Sequence, residues 1–397
     1  MTKGGMLLLG AAAFGFIAVA GNTNINAAVN TNISHRFDPV LKPFTDDKLQ
    51  LLKVPPGFKV NVFARGQGNA RMMMLLPDGT ILLTRFDVGQ LVAMRDNDGD
   101  GVADETPVIA NIPLVHGMAF RSNTIYLASE TKLFTMAWNP NGTFGSPQEF
   151  AQMPPGGLHL KRTIGFDDAG WLYVSIGSDC NNCFQANPEL ATLVRMKPDG
   201  SERTIFARGL RNMIGFDWHP VTRQLWGWDN GSDDRGDNLP PEELNLVEEG
   251  NHYGWPNCYG KRVTDKIALQ DDLLDPLDCK GTTAPVRFYR AHSAPIEFRF
   301  YTGTNFPASY VNDGFVCFRG SWNRKKADGY KIVRVHFSKS GRPLGCHDFM
   351  TGLLFEHGQS QFGRPAGLVV AQDGALLISE DNNGIIYRVT YVGRRRK

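Results

Sequence analysis

The stretch MLLPDGTILLTRFDVGQLVAM, residues 74–94, reads strand, Asp-Gly turn, strand, loop, strand, with apolar side chains at alternate positions. The same phrase returns as MAFRSNTIYLASETKLFTMAW (118–138) and as IGFDDAGWLYVSIG (164–177), which LVRMKPDG (193–200) continues after an insertion. Further copies are IGFDWHPVTRQLWGWDNG (214–231), DGFVCFRGSWNRKKADGYKIVRVHF (313–337) and GLVVAQDGALLISEDNNGIIYRVTY (367–391). Where uninterrupted, the copies recur at roughly 45–50 residues, the length of a four-stranded propeller blade. None carries the helical apolar period of a solenoid. Six copies predict an all-β chain, a six-bladed β-propeller of four-stranded antiparallel sheets, with an array of β-sandwiches as the poorer alternative. One longer insertion falls within 250–312.

Composition agrees with many short strands joined by tight turns. The 397 residues include 43 Gly, 23 Pro and 42 aromatics, a mixture poorly suited to an all-helical fold. At 42% apolar and 21% charged the balance is globular, which excludes a disordered chain or a coiled coil. Forty-two basic against 40 acidic residues leave a formal charge of +2, too little excess to compete with counterions on a phosphate backbone. No nucleic-acid partner is expected. The terminal run Arg394-Arg395-Arg396-Lys397 reads as a solvated end.

Residues 1–20 have the form of a secretory signal peptide. Lys3 supplies the positive start, Met6 to Ala20 is almost wholly apolar, and Ala18-Val19-Ala20 has the small-x-small pattern of a cleavage site. An uncleaved anchor is the alternative, although the run is shorter than the about 20 apolar residues a spanning helix needs. The Asn-, Thr- and Ser-rich stretch that follows reads as a linker, 21–45, ahead of a single domain at 46–397. The expectation is an exported protein, periplasmic or secreted, without a stable membrane span once cleaved.

Six cysteines, at 180, 183, 258, 279, 317 and 346, suit an oxidising compartment. Nearest-neighbour pairing, 180–183, 258–279 and 317–346, is the expectation among the 15 pairings possible. In Cys180-Asn181-Asn182-Cys183 a haem attachment fails, because Phe184 follows where His is needed. A thioredoxin-like pair would open a helix, whereas this motif follows a strand, so a structural loop staple is the preferred reading.

A propeller gathers the loops leaving its inner strands around one mouth. Polar residues placed there include Ser178 and Asp179, the run Leu158-His159-Leu160-Lys161-Arg162, and Arg211-Asn212. Gly231 to Asp234, Arg319 and Arg364 complete the set. Several guanidiniums around one pocket suit a multiply anionic ligand, because Arg grips carboxylates bidentately and stays charged. A single His among them is a candidate proton acceptor near neutral pH. Each Arg taken alone reads more readily as a surface ion pair; their shared placement lifts the group.

The runs ARGLRNMIGFDWHP (207–220) and DNGSDDRGDNLPPEELNLVEEGNHYGWPNCYG (229–260) resemble the pyrroloquinoline quinone (PQQ)-dependent glucose/sorbosone dehydrogenase family. So do RTIGFDDAGWLYVSIGSDCNNC (162–183), AHSAPIEFRFY (291–301), GSWNR (320–324) and GRPAGL (363–368), with CNNC and GSWNR pointing to the sorbosone-dehydrogenase-like branch. The resemblance covers roughly residues 50–391 and itself implies a six-bladed propeller. It implies that His159 takes the hydroxyl proton of an aldose or sorbosone-like aldehyde while hydride passes to C5 of the quinone. By the same resemblance Arg211 and Asn212 contact the quinone carbonyls, Arg319 and Arg364 hold PQQ, and the carbonyls of Gly231 and Ser232 hold calcium. The family's His-orienting carboxylate aligns to Ser178, which joins the cofactor-binding set and leaves Asp179 as the substitute catalytic acid residue. A cytochrome or quinone is the expected electron acceptor.

A second calcium signal needs no family. Asp96, Asp98, Asp100 and Asp104 fall at loop positions 1, 3, 5 and 9, with Gly101 at 6, although no closing Glu follows. An Asp/Gly-rich turn without metal is the alternative. His116 reads as a hydrogen-bonded, half-buried residue, and Met72-Met73-Met74 as core filling. Two other function classes stay open, a calcium-dependent propeller lactonase or hydrolase and a non-catalytic binding module. The first needs a carboxylate-ringed axial metal, and the Arg set argues against it.

Overall fold

A computed structural model describes residues 35–268 and 278–393; the expected signal peptide, residues 21–34 of the expected linker and the basic tail lie outside the described residues. Six four-stranded antiparallel sheets are found among the described residues. The first comprises Ala70–Leu75, Ile81–Arg85, Gln90–Met94 and Val108–Asn111, and the second Gly117–Arg121, Thr124–Ala128, Lys132–Ala137 and Gln148–Gln152. The third holds Arg162–Phe166, Leu172–Ile176, Thr192–Met196 and Thr204–Arg208. In the fourth, Met213–Trp218, Leu225–Asp229 and Glu242–Leu246 are joined, after the insertion, by Arg287–Tyr289. The fifth contains Pro295–Phe300, Gly314–Phe318, Lys331–Phe337 and Pro343–Met350. The sixth takes Pro365–Val370, Leu376–Glu380 and Ile386–Tyr391 from the end of the chain and Phe58–Ala64 from its beginning.

The strand that opens each of the first five sheets, and Pro365–Val370 in the sixth, touches its counterpart in the next sheet, and the sixth returns to the first. These six strands therefore form a closed ring. Backbones approach so tightly there that a side chain has no room: a Cβ on Gly117 would lie 2.5 Å from the carbonyl oxygen of Arg162, and one on Gly367 would lie 2.1 Å from that of Arg71. The glycine in the HGM and AGL phrases thus records sheet-to-sheet contact rather than a turn. Closure comes from Phe58–Ala64 pairing antiparallel with Ile386–Tyr391, so a strand from the beginning of the chain becomes the outer strand of the sheet that ends it.

Between sheets lie aromatic-rich cores, the use to which the aromatic content is put. Trp226, Trp228, Phe298, Phe318 and Phe337 fill the space between the fourth and fifth sheets, and Tyr301, Phe306, Phe315, Phe349 and Tyr387 that between the fifth and sixth. Tyr301 stacks on Phe306 at 4.3 Å between ring centroids, a pairing worth about 0.5–1.5 kcal/mol beyond its buried area. Met72 and Met73 are core residues, each 2% exposed. The described end of the stretch read as linker is tied to the sheets: Val40–Leu41 pairs in parallel with Ser360–Gln361, and the Arg36 guanidinium lies 4.4 Å from the Trp322 ring centroid.

Cys180 bonds Cys183 and Cys258 bonds Cys279, as expected from spacing. The expected third bridge is absent: Cys317 and Cys346 are free. Strand Lys331–Phe337 runs between theirs, with Cys317 opposite Ile332 and Cys346 opposite Val335. Two strand spacings across and three residues along put the pair about 14 Å apart, beyond the about 7 Å that a disulfide spans. Burial pushes both thiols up, that of Cys346 to about 11, so neither is a reactive thiolate at neutral pH.

Candidate active site

His159 sits on the loop that enters the third sheet, packed so closely on Gly177 that a Cβ there would come within 2.6 Å of its own Cβ. Its Nδ1 lies 2.8 Å from the carbonyl oxygen of Ser178 and 2.9 Å from Ser178 Oγ. A carbonyl only accepts, so Nδ1 carries the proton and the lone pair resides on Nε2, which no described residue hydrogen-bonds. Burial, then the positive charge of Arg211, holds the imidazole well below its ordinary pKa. The ring is therefore a neutral base with its acceptor nitrogen open. Arg162, fully buried, buttresses the loop by donating to the carbonyls of His159 (2.7 Å) and Pro154 (3.0 Å).

Asp179 does not orient this base. The carboxylate points the other way along the chain, accepting from Gln185 Nε2 at 2.7 Å, and its partners belong to the disulfide loop. Ser178 takes the orienting part instead, through its backbone carbonyl and a hydroxyl that donates to the carbonyl of Cys180 at 2.7 Å. The strand ends at Ile176 and the chain bends at Asp179, which carries that carboxylate toward Gln185 instead.

Arg211 is 3% exposed and gives all five N–H donors to protein oxygens. Nε reaches the carbonyl of Asn181 (2.9 Å); one Nη serves the carbonyls of Gly231 (2.8 Å) and Asn230 (3.4 Å), and the other Asn181 Oδ1 (2.9 Å) and Asp233 Oδ2 (3.1 Å). Asn212, next along, is held by its backbone N–H on Asp229 Oδ1 at 2.7 Å, and its Oδ1 crowds Gly177 beside His159. Around the guanidinium, burial pushes Asp229 up to about 6 and Glu242 up to about 8. Gly231 N–H donates to Glu242 Oε2 at 3.1 Å, and Ser232 Oγ accepts from Trp255 Nε1 at 3.1 Å. An oxygen-rich cluster of this kind suits a cation, and Arg211 fills that need here.

Opposite this cluster four cations converge on one carboxylate. Asp381 Oδ2 accepts from Arg71 Nη1 at 2.5 Å and from Arg319 Nε at 2.8 Å. Arg364 donates to the carbonyl of Gly320 at 2.5 Å, and Lys161 Nζ rests 4.3 Å from the Phe86 ring centroid. Burial opposes the Asp381 charge, but Arg319 and then Arg71 more than reverse this and hold its carboxyl below its ordinary value. Burial, then Arg71 and Arg319, lowers Lys161 to about 8. Asp381 is the carboxylate in direct contact, and Asp87 and Asp38 act at longer range on Arg71, Lys161, Arg319 and Arg364, so positive charge still outnumbers negative in the cradle. Arg71 Nε and Nη2 are buried without a partner, and the two Nη groups of Arg319 bond no described residue. Such an arrangement is costly until an anion with several oxygens enters.

Arg319 and Arg364 were legible in the sequence as members of this cradle; Arg71 and Asp381 were not. Arg71 sits in ARMMML, where strand patterning masks it, and Asp381 follows the last turn signal as one more polar loop residue. His116 is fully buried, with Nδ1 donating to the Arg162 carbonyl at 3.1 Å. Away from the cradle, carboxylate oxygens of Asp96, Asp98 and Asp104 lie within 4.8 Å of one another, while Asp100 instead accepts the Val102 N–H at 2.7 Å.

The chain and its fold have known relatives. An uncharacterised protein of Borreliella burgdorferi is 30% identical over 360 residues, covering 86% of this chain and 91% of its own. A Hypocrea jecorina pyrroloquinoline quinone-dependent sugar dehydrogenase is 24% identical, with the same coverage of 86% and 91%. Among solved structures, the holo form of the PQQ domain of Coprinopsis cinerea pyranose dehydrogenase superposes with a TM-score of 0.72 at 21% identity, covering 85% of this chain and 97% of that one. A calcium structure of the Trichoderma reesei carbohydrate-active enzyme of family AA12 gives 0.73 at 20% identity, covering 86% and 97%. The TrAA12-like family model matches residues 52–392, and the chain belongs to that family.

Proposed function

We propose that the six sheets are the blades of a six-bladed β-propeller and that the chain is an exported PQQ-dependent dehydrogenase of aldoses or sorbosone-like sugar aldehydes. The observation that carries the reading is a neutral imidazole with an open Nε2, close to Lys161 of a cationic cradle whose Arg71 and Arg319 keep N–H groups without partners. The sugar dehydrogenases among its relatives support it. PQQ is a polycarboxylate, and the unpartnered N–H groups of Arg71 and Arg319 fit it. Arg364, Lys161 and Asn212 complete the residues that would hold it. Export is supported by two disulfides, and no helix among the described residues is long and apolar enough to cross a membrane.

His159 Nε2 accepts the proton of the sugar hydroxyl, and the Nδ1–H bond to the Ser178 carbonyl steadies the imidazolium that forms. When bound, PQQ supplies the acceptor for the hydride leaving the same sugar carbon. The cradle fixes the cofactor's orientation, so the reacting atoms meet without a search. Calcium at this site would use the backbone carbonyls of Gly231 and Ser232. Gly231 O already accepts from Arg211 at 2.8 Å, so an ion held there would compete with that hydrogen bond.

A lactonase needs a carboxylate-ringed metal at the axis. Among the described residues, the groups of three metal-type ligands are Asp96 with Asp98 and Asp104, and Asp179 with two disulfide cysteines, and none of these lies on the six ring strands. Dye-linked dehydrogenase activity on an aldose and sorbosone panel, before and after adding PQQ and calcium, tests the proposal. Activity should appear on reconstitution and vanish in His159→Ala while PQQ still co-elutes. Failure of the wild-type protein to retain PQQ on gel filtration sinks it.

A further inference from the structure

We propose that the disulfide-closed loop Cys180-Asn181-Asn182-Cys183 is a positioning device that fixes His159, Arg211 and the 230–232 segment relative to one another. The inference rests on the reading of His159 as the catalytic base, beside which the Arg211 charge lies. Cys180, Asn181 and Asn182 each hold a group of the site. The Cys180 carbonyl accepts the Ser178 hydroxyl at 2.7 Å, and that hydroxyl oxygen lies 2.9 Å from His159 Nδ1. Asn181 accepts Arg211 Nε on its carbonyl and Arg211 Nη2 on its Oδ1, both at 2.9 Å, and the same Oδ1 accepts the Asp233 N–H at 2.7 Å. Asn182, 7% exposed, donates from Nδ2 to Ser232 Oγ and to the Pro256 carbonyl, each at 3.2 Å. Just before the loop, the Asp179 carbonyl accepts the Leu158 N–H at 2.8 Å, one residue from the base.

These partners come from the loop entering the third sheet, the junction between the third and fourth, and the turn after Leu225–Asp229. A four-residue loop left open would sample many conformations, and each partner would have to select one. Tying its ends through Cys180 and Cys183 removes that freedom in advance. Cys183 closes the tie, and its carbonyl accepts from Gln185 Nε2 at 3.4 Å. The loop leads into no helix, which separates it from a thioredoxin-like redox pair. Its function is geometric, and misplacement of a base by about 1 Å is enough to cost about 100-fold in rate.

The test uses the full-length, cofactor-free protein and the C180S/C183S variant. Nitrogen-15 NMR reports the His159 tautomer and the solvent exchange of Arg211 Nε–H. Wild type should show one tautomer, protonated at Nδ1, and a protected Nε–H. The variant should show mixed tautomers and Nε–H exchange faster by about 10-fold or more. After loading with PQQ, its kcat should fall by about 10–100-fold with a smaller change in KM. Tautomer and exchange both unchanged in a folded variant would overturn the proposal. If C180S/C183S does not fold, Asn181→Ala keeps the disulfide and removes one acceptor from Arg211. It should speed exchange of the Arg211 Nη2 hydrogens, whose acceptor is lost, and wild-type protection there would equally defeat the idea. Failure of wild type to bind PQQ would defeat the dehydrogenase reading and leave these cofactor-free measurements standing.

Discussion

Asp381→Asn tests the cradle most directly. The substitution keeps the side-chain shape and removes the carboxylate that Arg71 and Arg319 share. Arg71 and Asp381 have side chains 2% and 1% exposed, so solvent cannot compensate. Breaking one partner of such a buried pair costs about 3–5 kcal/mol, because a guanidinium is left buried and unpaired. Arg319, 28% exposed, adds little to that figure. Burial disfavours the Asp381 charge, but Arg319 and Arg71 hold its folded pKa below the unfolded value, so its contribution is present above pH ~4 and is lost as pH falls through the folded value. The variant should therefore be less stable at neutral pH and show a flatter acid limb. The cradle gains one net positive charge, which about 8 Å from an anion would add about 2 kcal/mol at an effective dielectric near 20. PQQ should accordingly stabilise the variant more than the wild type. The assay is urea unfolding at pH 7 and pH 4, with and without PQQ. A variant as stable as wild type, or one to which PQQ adds no more stability than to wild type, would refute the reasoning.

Because burial and then Arg211 depress the His159 pKa, the base stays unprotonated below the ordinary value of about 6.5. The acid limb of kcat/KM should lie below pH ~6.5, and His159→Gln should lose about 100–10,000-fold in kcat with PQQ still bound. Lys161, lowered to about 8, loses its charge above that pH, so PQQ affinity should weaken from pH 7 to pH 9, and Lys161→Met should flatten this dependence in an absorbance titration. Titration of the denatured, unreduced protein with a thiol reagent should count two free thiols, Cys317 and Cys346; a count of zero would mean they are bridged. Calcium should raise the melting temperature through the 96–104 loop, and Asp98→Asn should reduce that gain, whereas an Asp/Gly turn without metal would show no calcium effect in either protein.

The repeat of strand, turn and strand was legible in the sequence because period-two alternation and Asp-Gly turns are local properties of a chain, and the family phrases with His159 and Arg211-Asn212 are contiguous. Nearest-neighbour spacing also found the two disulfides that close short loops. What lies between elements was decided only in three dimensions. Phe58–Ala64 finds its partner at the far end of the chain, and no local pattern announces a closing strand. Cys317 and Cys346 are near in sequence and kept apart by the strand between them. Ser178 rather than Asp179 orients the base, because the chain bends at Asp179 and carries its carboxylate toward Gln185. Arg71, from the first sheet, meets Asp381, from the loop within the sixth, only because the ring closes. Local patterning specifies the strands, and the charge balance of the cradle follows from which strands the closed ring brings side by side.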